Sequence, residues 1–197
     1  MEGDCGGQEL GAHRVYLVDP SNSAAVLAVS QEKYVFQKQW LADTMIKDCH
    51  TCVHLFHKFP ESLHDWRPSP QQRSVEELLG YLSICVISAL KGFKEPGKGW
   101  RDVYLAKAKA MTFAQFPQAM EEQAAEIAEY FRDLPEEILA NQEVKMPWGE
   151  VLPLGAAIVM APAKWLPAYK MQLFLYAKTN GLAVATPNLW RGVDPAI

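Results

Sequence analysis

The sequence predicts an all-α fold, an antiparallel four-helix bundle. Three observations point to it. Apolar residues recur at steps of three and four along the first helical segment, and faces at helical spacing follow in the second and the fourth. Ser74 with Glu77, and Thr112 with Gln115, have the spacing of capping boxes at two helix starts. No segment makes a convincing sheet.

Residues 1–30 differ in character and are set apart as a short non-helical N-terminal extension. Four glycines among the first eleven residues are followed by the apolar runs Val15–Val18 and Ala24–Val29, with Asp19-Pro20-Ser21-Asn22 as a turn between them. A loosely docked hairpin or a mobile arm fits this pattern. The bundle domain is expected over 31–197.

Its first helix is predicted over 31–59. Leu41, Met45, Cys49, Cys52, Phe56 and Phe59 form one apolar stripe, and Pro60 stops it. Trp66-Arg67-Pro68-Ser69-Pro70 is a rigid extended connector. The second helix starts at the Ser74 cap, runs to about Leu90, and places Leu78, Tyr81, Cys85 and Ser88 on one face. A loop over Gly92–Gly99 follows, then a short helical turn at Ala106–Ala110. The third helix runs from the Thr112 cap to Arg132, with Pro117 in its first turn, where proline is tolerated. The fourth is expected from Pro153 to a glycine stop at Gly181, kinked by Pro162 and Pro167. Trp165, Tyr169, Gln172 and Tyr176 share one of its faces. The tail from Thr186 reads as non-helical.

Composition narrows the function classes. The chain has 197 residues, 49% hydrophobic and 21% charged, ordinary for one globular domain. A net charge of −4 argues against a general nucleic-acid partner, which needs a basic surface. The longest uncharged apolar stretches, Leu78–Leu90 and Val151–Ala163, are shorter than the roughly 20 residues a membrane span needs, so no membrane partner is expected. Met-Glu-Gly-Asp puts acid where a secretory signal carries base, and four cysteines do not make a disulfide scaffold. A cytoplasmic protein with reduced thiols is the expectation.

Two constellations carry chemistry. The first is Asp48-Cys49-His50-Thr51-Cys52-Val53-His54. His50 and His54 project on the same side of a helix and offer two metal ligands. The competing reading is packing, because Cys49 and Cys52 continue the core stripe as small hydrophobes. Redox work by this Cys-x-x-Cys pair is disfavoured, since mid-helix it lacks the N-terminal field that lowers a thiol pKa. The second is Lys164-Trp165-Leu166-Pro167-Ala168-Tyr169-Lys170-Met171-Gln172. Lys91, Lys94 and Lys98 read as a solvated basic loop, and Glu121, Glu122, Glu126 and Glu129 as a solvated helix face.

With the Trp66–Pro70 connector, the segment Arg73–Leu82 and the closing Asn188-Leu189-Trp190, this second constellation resembles the DinB-like (DinB/YfiT-type) family over about residues 31–192. The resemblance implies a four-helix bundle with a cleft at one end. In metal-binding members three histidines hold a divalent ion there, and some relatives use it to activate a low-molecular-weight thiol for transfer or isomerisation. At the matching positions this chain has Tyr81, Trp165 and Tyr169, with Gln172 anchoring the register. A protonated phenol is a poor ligand at neutral pH and an indole only donates. The resemblance therefore implies a metal-free protein of uncharacterised activity, a binding or structural module whose aromatic-lined cleft is built from Tyr81, Trp165, Tyr169, Gln172 and His50. No cofactor is expected. The alternatives are a metal-dependent thiol transferase or isomerase that holds zinc or nickel through displaced ligands such as His50 and His54, and a homodimeric interaction protein. The homodimer rests on Met171, Leu173, Phe174 and Leu175, which make the fourth helix apolar on more than one face.

Overall fold

A computed structural model describes residues 37–196. The predicted N-terminal hairpin or arm, and positions 31–36 of the first predicted helix, lie outside the described residues. Helix α1 spans Lys38–Phe56, entered from an extended Gln37. The whole predicted stripe, Leu41 through Phe59, is buried. A single 3₁₀ turn, Glu61–Leu63, leads to the connector. There the Val75 amide donates to the Trp66 carbonyl and the Glu76 amide to that of His64, so the connector is tied down at both ends.

Helix α2, Val75–Leu82, starts at the predicted capping box: the Ser74 amide donates to Glu77 Oε2 at 2.7 Å, and the Glu77 amide to Ser74 Oγ at 3.2 Å. The sequence predicts one helix to Leu90, but the column breaks after Leu82 and resumes as α3, Ile87–Lys94. The cause is Gln123, only 1% exposed. Its Oε1 accepts from the Val86 and Ile87 amides at 3.1 and 3.3 Å, and its Nε2 donates to the Leu82 carbonyl at 2.9 Å. A side chain inserted into the i→i−4 ladder opens a helix at that point.

The loop predicted at Gly92–Gly99 is shorter, because α3 extends to Lys94. The short turn predicted at Ala106–Ala110 is the end of a full helix, α4, Trp100–Ala110. Gly99, at φ 68°, supplies the left-handed turn that launches it. Helix α5, Phe116–Arg132, follows a 3₁₀ turn at Phe113–Gln115, where the Thr112 amide donates to Gln115 Oε1. Its acids are not all solvated: the Tyr104 hydroxyl donates to Glu126 at 2.6 Å, and Lys91 stands 3.7 Å from the same carboxylate.

Helix α6, Glu136–Asn141, precedes a small antiparallel hairpin, β1 Glu143–Lys145 and β2 Val151–Pro153, with Val144 opposite Leu152. The fourth helical column breaks at Ala161 (φ −120°, ψ −89°) into α7, Leu154–Met160, and α8, Pro162–Thr179. Pro162 opens α8, where it is tolerated, and Pro167 lies in its second turn. The tail predicted as non-helical forms one turn, α9, Thr186–Trp190. Asn188 makes it possible by accepting from the Ala185 amide at 2.7 Å.

The long columns pack as a closed ring: α1 lies against α5 and α8, and α2/α3 lies against α5 and α8 on the other side. Together they form an antiparallel four-helix bundle around one hydrophobic core. Helix α4 covers α2 and α3 from outside. Its approach depends on Gly80, where a Cβ would stand 3.1 Å from the Ala108 carbonyl oxygen. No described helix is long and apolar enough to cross a membrane.

Candidate functional site

The capped start of α2 fixes Arg73 and, two turns on, Tyr81; the middle of α8 supplies Trp165, Tyr169 and Gln172. The Tyr81 and Tyr169 rings meet edge to face with centroids 4.6 Å apart. The Arg73 guanidinium lies 4.4 Å from the Tyr81 centroid and 5.3 Å from that of Tyr169, stacking a cation on the pair. Arg73 is itself held through its backbone. Its carbonyl accepts from the Tyr176 hydroxyl at 2.9 Å, which in turn accepts from Gln172 Nε2 at 2.7 Å. Trp66 packs edge-on against Tyr176 at 5.2 Å, so the connector braces the same corner. Gln172 therefore points at Tyr176 and supports the site from behind.

Tyr81 and Trp165 open onto a groove of about 1080 Å³ between α2/α3 and α4. Its α4 wall is the stripe Arg101, Leu105, Ala108 and Lys109, and Lys145 enters from the hairpin. Arg101 and Lys109 belong to no motif in the sequence, and Arg73 enters one only as the start of the Arg73–Leu82 segment. The one signal was that Arg101, Leu105 and Ala108 share a helical face, which was hidden while only the end of α4 read as helical.

His50 stands outside this grouping. It is an exposed α1 residue whose Nε2 lies 3.5 Å from Glu121 on α5. His54, one turn later, faces the C-terminal segment, with Nε2 2.9 Å from Asn188 Nδ2 and 3.6 Å from Asp194. Partial burial and the nearby Lys58 hold its pKa below the usual imidazole value. Among the described residues no three His, Cys, Asp or Glu side chains converge as a metal site.

The donor set at Tyr81, Trp165 and Tyr169 does not suit a divalent ion. Burial, reinforced by Cys85 and Tyr169, pushes the Tyr81 phenol up to about 12 despite the opposing pull of Arg73. A phenol this hard to ionise is a poor ligand at neutral pH, and the indole offers no lone pair. The thiols are equally quiet. Burial pushes Cys49 up to about 12 and raises Cys52 and Cys85 well above the ordinary thiol value. Buried and hard to ionise, these three thiols pack as small hydrophobes.

The apolar excess of α8 is largely absorbed inside the chain. Leu173 and Phe174 are buried, and Leu175 is the exception at 53% exposed.

No family model matches the sequence. No curated protein matches it either. Solved structures do. An uncharacterised protein from Escherichia coli UTI89 is similar at TM-score 0.51 and 16% identity, over 75% of this chain and 96% of that one. A mycothiol-dependent maleylpyruvate isomerase is similar at TM-score 0.50 and 11% identity, over 76% of this chain. The match spans 62% of the isomerase's own length. Identities this low carry the likeness of fold alone, and that likeness agrees with a DinB-like helical arrangement.

Proposed function

We propose that the chain is a DinB-like protein whose degenerate, metal-free site has become an aromatic-lined cleft that binds an organic small molecule. The observation that supports this most is the Arg73–Tyr81–Tyr169 stack, set beside Trp165 at the mouth of a groove large enough for a ligand. The cleft has flat apolar faces for a ring, and the two described carboxylates that line it, Glu77 and Glu76, are engaged in hydrogen bonds at the start of α2 and with the Phe113 amide, respectively. The phenol of Tyr81 keeps its proton, and the three described cysteines are buried. A binding role fits these residues better than catalysis.

The second reading, a thiol-dependent transferase or isomerase, draws on the named activity of the similar isomerase. It needs a metal held by displaced ligands. His50 and His54 turn towards α5 and α9, and each already has a polar neighbour there. A homodimer remains the proposed assembly for the interaction alternative. It would use the Leu175 face, and light scattering at twice the chain mass would favour it.

The test of the binding reading is a fluorescence titration with the neutral aromatic probe N-phenyl-1-naphthylamine. Saturable binding that weakens about tenfold in both Tyr81→Ala and Trp165→Ala is expected, a change of about 1.4 kcal/mol. No saturable binding, or binding indifferent to both substitutions, would refute it.

A further inference from the structure

The groove carries charge that nothing in the described fold uses. Four cations line it: Arg73, Arg101, Lys109 and Lys145. Two carboxylates also line it, and both are spoken for. Glu76 Oε1 accepts from the Phe113 amide at 3.1 Å. Glu77 caps α2 and pairs with Arg67 at 3.3 Å. Arg73 is occupied by the stacked tyrosines. Among the described residues, Arg101, Lys109 and Lys145 have no carboxylate partner, whereas Lys91, Lys98 and Lys107 each do. A chain with net charge −4 thus sets four cations against two carboxylates on one concave surface, with three of the cations in no ion pair among the described residues.

The spacing fits a ligand. On α4, Arg101 and Lys109 bracket Leu105 and Ala108 along one face, about 12 Å apart at 1.5 Å per residue. Cations stand at the two ends of the wall and apolar surface lies between, with Tyr81 and Trp165 across the groove. A low-dielectric concavity with an excess of positive charge, here four cations to two carboxylates, focuses its field and draws in anions.

We propose that this groove selects flat organic anions: the apolar body lies against Tyr81, Trp165 and Leu105, and the negative group is held by Arg101, Lys109 or Lys145. This rests on the binding reading above and adds the sign of the ligand's charge to it.

The experiment pairs two probes of similar body, 1-anilinonaphthalene-8-sulfonate, an anion, and neutral N-phenyl-1-naphthylamine. At low salt the sulfonate should bind about tenfold more tightly than the neutral probe, and raising NaCl from about 0.02 to about 0.5 M should remove most of that advantage. The combined variant Arg101→Gln, Lys109→Gln, Lys145→Gln alters exposed side chains only. It should lose the sulfonate preference, keep the neutral probe within about twofold, and melt at the wild-type temperature. Equal affinity of the wild type for both probes, or a sulfonate preference indifferent to salt, overturns the anion proposal and leaves the cleft reading standing. If neither probe binds, both fall. The salt series on the wild type decides the matter even if the triple variant folds poorly.

Discussion

Replacing Gln123 with leucine removes three hydrogen bonds at the break between α2 and α3 while keeping nearly the same bulk. The Val86 and Ile87 amides lose their partner, and the Leu82 carbonyl keeps only the weak Cys85 thiol donor at 3.7 Å, in a place where Leu82 and Val86 are fully buried. Each buried polar group left without a partner costs about 1–3 kcal/mol. Some is recovered if the Val86 amide closes back onto the Leu82 carbonyl, as a continuous helix would require. The net loss therefore lies between roughly 1–3 kcal/mol, if that closure leaves only the Ile87 amide orphaned, and roughly 3–9 kcal/mol, if all three groups are, with about 3–5 kcal/mol expected. For a chain of this size that lowers Tm by on the order of 10 °C. The assay is urea unfolding followed by circular dichroism, with thermal melting as a check. Gln123→Glu supplies the control. A carboxylate still accepts from both amides but cannot donate to Leu82, so a smaller loss is expected near the acid end of the titration, where the side chain is protonated. A loss below about 1 kcal/mol for Gln123→Leu would refute the reasoning. It would mean that the break is made by the α2/α3 sequence itself and that Gln123 only decorates it.

The Lys170–Asp48 pair should behave as a buried ion pair, since Lys170 is 1% exposed and meets Asp48 beneath the Trp190 ring. Lys170→Met alone should cost about 3–5 kcal/mol by stranding the carboxylate, and the double change Lys170→Met with Asp48→Leu should recover most of it, as chemical denaturation would show. At alkaline pH the chain should lose stability. Burial holds the phenols of Tyr81 and Tyr130 up to about 12 and raises that of Tyr104, while an unfolded phenol ionises near 10. The contribution is whole below about pH 10 and fades as pH rises through 12, so unfolding midpoints measured from pH 8 to 12 should fall above pH 10. A flat profile would place these hydroxyls in water.

The parts legible in the sequence were the local ones. The Leu41–Phe59 stripe, the Ser74 cap and the aromatic face of α8 depend on neighbours within a few turns, and periodicity and capping chemistry report such neighbours directly. The missed parts depend on contacts across the fold. Gln123 breaks a helix 37 residues away, and on its own helix it looks like any polar residue. Lys170 meets Asp48 across 122 residues, so nothing beside it marks it as buried. Helix α4 starts from a left-handed glycine without a side-chain cap, and the helix signal in Trp100–Leu105 is diluted by charge. The groove and its cations were hidden with it. Tyr81 and Trp165 do line the groove, with Tyr169 packed against Tyr81, while the place of Arg73 is not legible, because a cation stacked on two rings from different helices leaves no pattern along one of them.

Metal content bears most directly on the claim that this cleft works without an ion. Elemental analysis of untagged protein, purified without added metal and dialysed, should find zinc and nickel far below one ion per chain. As a positive control, the combined change Tyr81→His, Trp165→His and Tyr169→His should bring zinc towards one ion per chain, since it places three imidazoles on neighbouring positions of α2 and α8. Near-stoichiometric zinc or nickel in the wild type, lost on His50→Ala with His54→Ala, would contradict the claim and return the chain to the metal-dependent thiol chemistry of the alternative reading.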